Sequence, residues 1–194
     1  MIYFLRDDNL VEREQIKKAS DAVLRYGLKA EYGIEEEPEL YKTEFGKPYL
    51  VGYDGIFFNL SNSVGAVAVA VDSDEVGIDI EKSKDDFDDR ITKRICSDEE
   101  KASIREPSDF YRIWTAKESY IKAIGTGFAC GFDQIKRDAV GLRSQLGGFY
   151  IRSIKLDGYW LTVSAKRPVE MEKEVVILQR AQLAAWLSER SAGQ

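Results

Sequence analysis

Five charged side chains in two short segments carry the chemistry of this sequence. In "EVGIDIEKSK" (75–84) a strand would turn Ile78 and Ile80 to one face and Asp79 and Glu81 to the other. Two carboxylates on one face suit either a solvated sheet edge or a divalent cation, since hard cations are held by carboxylate oxygens from nearby positions. In "RIWTAKESYIKAI" (112–124) a helical wheel gathers Ile113, Ala116, Tyr120, Ala123 and Ile124, with Lys117 inside the apolar arc. Glu118 lies at its edge beside Trp114, and Lys122 stacks one turn beyond. A buried ammonium is costly unless it snorkels or meets an anion. Glu118 and Lys122 alone could be a surface i, i+4 pair. Taken together, the segments supply two ammonium groups and make Glu118 the natural third oxygen ligand beside Asp79 and Glu81.

Composition narrows the chemistry further. The chain of 194 residues has no histidine, which removes Ser-His-Asp and Cys-His catalysis, His-ligated zinc and imidazole as a base. Acid–base work falls to Asp, Glu, Lys or Tyr. A net charge of −6 argues against a broad nucleic-acid surface, leaving an anionic small ligand held by a local basic patch. An apolar share of 44% and a charged share of 32% fit a globular, ordered chain. The longest apolar run, "GAVAVAV", is too short to span a bilayer, and "MIYFLRDDNL" has no signal-peptide pattern, so a cytoplasmic location is expected. Cys96 and Cys130 lack metal-type spacing and read as reduced, structural thiols.

The elements that must position these residues are legible by period. Residues 2–6 read as a strand, and Leu10 to Lys29 as a long helix whose Lys17, Lys18, Arg25 and Lys29 form either a solvated face or part of an anion site. A loop-rich stretch with Pro38 and Pro48 follows. "IFFNLS", "AVAVAVD" and "VGIDIE" read as strands with links short enough for antiparallel pairing. Acidic Asp85, Asp86, Asp88 and Asp89 precede basic Lys93 and Arg94, a polarity that suits a helix dipole over 85–95. Ser97 and Glu100 have capping-box spacing, and a helix from about Ser108 to Ile124 stops at Gly125. Two alternating segments around Asp157-Gly158 signal a hairpin, and "VVILQRAQLAAWLSER" a strand leading into a surface helix. Helix plus antiparallel strands in each part predict an α+β fold of two similar-sized halves, 1–76 and 77–194, with "GIDIE" near the join, and no sequence repeat marks a duplication.

The segments "GKP" (46–48), "FNLSNS" (58–63), "GIDIEK" (77–82) and "WTAKESYIKAIGTG" (114–127) resemble, in order, the signatures of the Sfp-type 4′-phosphopantetheinyl transferases. The match runs from roughly Lys17 to the last hairpin. The resemblance implies a monomer of two pseudo-symmetric α+β halves with the active site between them. Its reaction moves phosphopantetheine from coenzyme A to a serine of an apo acyl, peptidyl or polyketide carrier protein, releasing 3′,5′-ADP. It implies that Asp79, Glu81 and Glu118 hold Mg²⁺ against the pyrophosphate. Glu118 would take the serine proton, directly or through a water, and Lys122 would stabilise the departing ADP. Lys47, Ser61, Asn62, Lys117 and Arg25 would serve coenzyme A, with Lys17 and Lys18 matching the family's first-helix bases only after a register shift.

Three departures stand out: Asn62 replaces the family's phosphate-binding histidine, Thr126 stands where lysine is frequent, and the segment before the first helix is short and poor in Arg and Lys. The alternatives are a degenerate member that binds coenzyme A or a carrier without transfer, and a Mg²⁺-dependent diphosphate hydrolase. Arg90, Lys93, Arg94, Lys101 and Arg105 form a candidate basic surface for an acidic carrier, or an ordinary solvated helix pair.

Overall fold

The computed structural model describes residues 1–127 and 132–192; Cys130 lies outside them. Strand β1 (Ile2–Arg6) leads into helix α1 (Arg13–Tyr32), and a short hairpin follows, β2 (Leu40–Lys42) and β3 (Pro48–Leu50). Next come β4 (Phe57–Ser63), β5 (Ala66–Asp72) and β6 (Val76–Lys82), then helices α2 (Asp89–Ile95), α3 (Asp98–Ser103) and α4 (Pro107–Ile124). Helix α5 (Phe132–Arg137), β7 (Gln145–Leu146), β8 (Phe149–Leu156) and β9 (Tyr159–Ala165) precede α6 (Met171–Glu174), β10 (Val175–Leu178) and α7 (Arg180–Ala192). The fold is α+β, as expected.

Two four-stranded sheets dominate, in the orders β10-β1-β5-β4 and β6-β9-β8-β7. The alternation in "AVAVAVD" explains how the first is buried on both faces. Val67, Val69 and Val71 pack with Tyr3, Leu5 and the α1 residues Val23, Leu24 and Leu28. Ala66, Ala68 and Ala70 face Val76, Ile78 and Ile80 of the second sheet. Alanine on that side lets the two sheets approach closely, while the valines fill the wider gap under the helix.

One expectation needs correction. β6 does not pair with β5 as the short "SDE" link suggests; its ladder partner is β9, with Ile78 opposite Val163 and Ile80 opposite Leu161. Near the C-terminal end of the described residues β10 returns to the first sheet and pairs in parallel with β1. Among the described residues no helix is long and apolar enough to cross a membrane.

The free edge of β6 is not left bare. Asn59 Oδ1, Ser61 Oγ and Ser63 Oγ on β4 accept from the backbone N–H groups of Ile78, Ile80 and Lys82 at 2.9, 3.4 and 3.2 Å. Side chains at every second position of one strand thus stand in for a backbone ladder. This satisfies donors that are otherwise costly to bury or prone to pair with another chain.

Candidate active site

Gly77, Asp79 and Glu81 share the face of β6 that meets α4. At Gly77 a Cβ would overlap the Ser119 carbonyl oxygen and the Ala123 amide and lie 2.9 Å from Ala123 Cα, so only glycine admits the helix this closely. Hydroxyl pairs knit the remaining interface, Thr115 to Thr162 at 2.8 Å and Ser119 to Ser164 at 2.9 Å. The most buried side of α4 therefore carries small polar residues as well as the apolar arc of the wheel, and the close approach seats Glu118 and Lys122 beside Asp79.

There the charges converge. Lys122 Nζ donates to Asp79 Oδ1 at 2.6 Å and to Ser61 Oγ at 3.0 Å, and Ser61 Oγ donates to the same Asp79 oxygen at 2.7 Å. Asp79 Oδ2 is buried and has no hydrogen-bond partner among the described residues. Glu81 accepts from Ser63 Oγ at 3.1 Å and from the side chain of Trp114. Burial, then the Asp79 charge, raises the Glu81 carboxyl above its ordinary range. The same two causes, in the same order, push Glu118 up to about 7, against the pull of Lys122.

Among the described residues no three acidic side chains close into a ready-made metal cage; the Lys122 ammonium neutralises Asp79 instead. The donor set nonetheless fits a hard divalent cation. It offers an orphaned buried carboxylate oxygen and two neighbouring carboxyls whose ionisation is suppressed by burial and then by the Asp79 charge.

Beside these carboxylates runs a cleft of about 850 Å³, walled by α1, the β2–β3 hairpin, β4 and the end of α4. Its basic groups are Arg13, Lys17, Lys42, Lys47 and Lys122. Asn62 lines it and is exposed.

Arg25 does not line the cleft. The α1 face that does carries Arg13, Ile16, Lys17, Ser20, Asp21 and Leu24, and Arg25 falls roughly 40° past Asp21 on the wheel. Lys17 is thus the first-helix lysine in place, while Lys18 pairs with Glu14 at 2.7 Å. Arg13 and Lys42 went unrecognised in the sequence, although the exposed first turn of α1 and the basic β2 were signals for them.

Lys117 is also placed elsewhere. It is 1% exposed, and its ammonium lies 2.7 Å from Glu100 Oε1 and donates to the Ile135 carbonyl at 3.2 Å. The anion that justifies this buried lysine is Glu100, which also accepts from the backbone of Ser97 and Gly141. Ser61 supports Asp79 and does not line the cleft. Ser63 and Trp114, which hold Glu81, are further site residues. Ser63 repeats Ser61 two positions on, the strand period that could have revealed it.

In the candidate carrier patch Arg90 pairs with Asp88 at 2.8 Å and Lys101 with Asp98 at 3.0 Å, both on the surface. Cys96 is fully buried with its thiol pushed up to about 11 by burial, then by Glu100, which makes it inert.

Comparison with known proteins points the same way. Residues 75–165, which contain both charged segments, match the 4′-phosphopantetheinyl transferase superfamily. The Sfp 4′-phosphopantetheinyl transferase of Bacillus subtilis strain 168 is 31% identical over 163 residues, covering 76% of this chain and 72% of that protein. Another Bacillus subtilis 4′-phosphopantetheinyl transferase is 34% identical over 120 residues, 58% of this chain and 53% of its own length. The gsp 4′-phosphopantetheinyl transferase of Aneurinibacillus migulanus is 42% identical over 92 residues, 44% of this chain and 38% of its own. The chain spans about half the length of the second of these relatives and less of the third. It belongs to the 4′-phosphopantetheinyl transferase superfamily.

Proposed function

We propose that this protein transfers the 4′-phosphopantetheine group of coenzyme A to a serine hydroxyl of an apo carrier protein, releasing 3′,5′-ADP. The observation that carries the reading is the junction of an acidic, lysine-flanked pair of elements with a basic cleft of about 850 Å³. Such a cleft offers an anionic ligand basic groups together with apolar walls that include Phe45, Leu24 and Leu40.

In this mechanism Asp79, Glu81 and Glu118 are the residues that would hold a Mg²⁺ ion, which would supply Lewis-acid stabilisation of charge on the pyrophosphate. Arg13, Lys17 and Lys42 receive the phosphates in the cleft, and Asn62 donates an uncharged hydrogen bond where the family carries histidine. The acceptor serine oxygen bonds to the phosphorus that carries the pantetheine arm as the bond from that phosphorus to the ADP oxygen breaks. Glu118 takes the serine proton, directly or through a water, the role a site without histidine must give to a carboxylate. Lys122 neutralises charge on the departing phosphate, a positioning and electrostatic task typical of phosphoryl transfer. Ser61, Ser63 and Trp114 keep Asp79 and Glu81 aimed. The setting this chemistry calls for is the cytoplasm.

The test is release of 3′,5′-ADP from coenzyme A. Release that needs both an apo carrier and Mg²⁺ supports transfer. Release of phosphopantetheine without any carrier points to a hydrolase, and binding without release to a degenerate member.

A further inference from the structure

We infer that Lys47 is a positioning residue that clamps the cleft-forming hairpin onto the C-terminus of α4, and does not serve as a phosphate ligand; the inference rests on the transferase reading of the site. Lys47 lines the cleft, yet it is only 6% exposed and its ammonium is already engaged. It donates to the Ala123 carbonyl at 2.8 Å and forms a short ion pair with Glu75. Glu75 in turn accepts from Tyr49 Oη at 2.7 Å. An anion in the cleft would have to draw the ammonium away from both partners.

The arrangement has a clear structural purpose. The last four carbonyls of a helix have no partner within it, and the negative end of the helix dipole lies there. In α4 Gly125 N–H answers Ile121 at 3.1 Å, and Lys47 answers Ala123. Gly125 is in the left-handed region (φ 70°), and a Cβ there would stand 3.0 Å from Lys47 Cδ, so the lysine stem packs under the helix-ending turn. The backbone of Lys47 is fixed as well: its N–H donates to Thr43 Oγ1 at 3.2 Å and its carbonyl accepts from Thr43 N–H at 3.0 Å. One side chain therefore links the hairpin, the first residues before β6 and the last turn of α4, immediately beyond Lys122. The position of the helix that presents Glu118 and Lys122 depends on it.

A phosphate ligand and a clamp respond differently to substitution. For Lys47→Met the clamp requires kcat to fall by about 10- to 100-fold, with KM for coenzyme A and the calorimetric Kd for 3′,5′-ADP within about threefold. Lys47→Arg should recover part of kcat. Amide hydrogen exchange over 119–125 should quicken in Lys47→Met, a readout independent of turnover. Glu75→Gln, which frees the ammonium while keeping an acceptor, should leave 3′,5′-ADP affinity unchanged. A shift of tenfold or more in 3′,5′-ADP affinity in Glu75→Gln, or in Lys47→Met with kcat intact, would overturn the clamp; if Lys47→Met does not fold, Glu75→Gln decides. Absence of transfer by the native protein would count against the transferase reading alone, because hydrogen exchange still tests the clamp.

Discussion

Lys122 Nζ lies 2.6 Å from Asp79 Oδ1, joining the centre of β6 to the last turn of α4 across 43 positions of sequence. The contact balances charge at the site, because Asp79 is buried, its second oxygen is unpartnered among the described residues, and Glu81 and Glu118 stand near enough to feel it. Replacing Asp79 by Asn should keep the fold, since the amide preserves the shape and one acceptor. Transfer should drop by at least about 10²-fold, the scale of losing a key electrostatic stabiliser. Steady-state kinetics with a matching circular-dichroism melt checks both halves of the prediction.

Glu118 makes the metal-free protein sensitive to pH. Its carboxyl is raised from an ordinary 4.5 to about 7, so between those values the native state holds a proton that the unfolded chain has lost. Stability contributed by this group is therefore greatest below about pH 4.5 and declines as pH rises toward 7. In EDTA, Glu118→Gln should equal the parent near pH 4 and exceed it by about 1–2 kcal/mol at pH 8, after allowance for solvent screening of a partly exposed group. Urea melts at the two pH values measure this directly, and a mutant less stable than the parent at pH 8 contradicts it.

Gly77 tests the close approach of β6 and α4. Gly77→Ala brings a methyl against the backbone of Ser119 and Ala123, and backbone cannot rotate away as a side chain can. The expected loss is about 3 kcal/mol or more, at the upper end for overpacking, with transfer falling even where the protein still folds. A melt within a degree of the parent rules out the packing described.

The buried Lys117–Glu100 pair is expected to be structural. Lys117→Met leaves Glu100 buried with backbone donors only, at a cost of about 3–5 kcal/mol. Adding Glu100→Gln should recover a large part of that loss, and affinity for 3′,5′-ADP should not change in the folded double variant. Denaturant unfolding of the cycle and calorimetry provide the comparison.

Much of this site was legible because it obeys simple periods. The two-residue period set Asp79 and Glu81 on one face of β6, and the helical period put Glu118 and Lys122 one turn apart on α4. What escaped were choices made by tertiary partners. A "SDE" link reads alike whether its strands pair or part, and β6 leaves for β9 because Asn59, Ser61 and Ser63 cover its other edge. Lys117 asked for an anion without saying which, and Glu100 was legible only as a cap for Ser97. Arg25 and Lys17 lie eight positions apart, and only the packing of α1 on the sheet decides which faces the cleft.

Asn62 remains the sharpest departure from the family pattern. A neutral amide gives roughly one tenth of the affinity of a charge-assisted donor. Asn62→His should tighten coenzyme A binding by about tenfold at pH 6, where an unperturbed imidazole carries charge, and less at pH 8. Calorimetry at the two pH values reads the difference. Unchanged binding at pH 6 means that Arg13, Lys17 and Lys42 already supply the charge in the cleft.

The most direct measurement is the intact mass of an apo carrier protein after incubation with this protein, coenzyme A and Mg²⁺. The account predicts a gain of one phosphopantetheine group on the acceptor serine, absent when that serine is alanine and absent with the Asp79→Asn variant. A panel of apo carriers from fatty-acid, polyketide and peptide synthesis that all keep their apo mass, with coenzyme A bound but unconsumed, would contradict it.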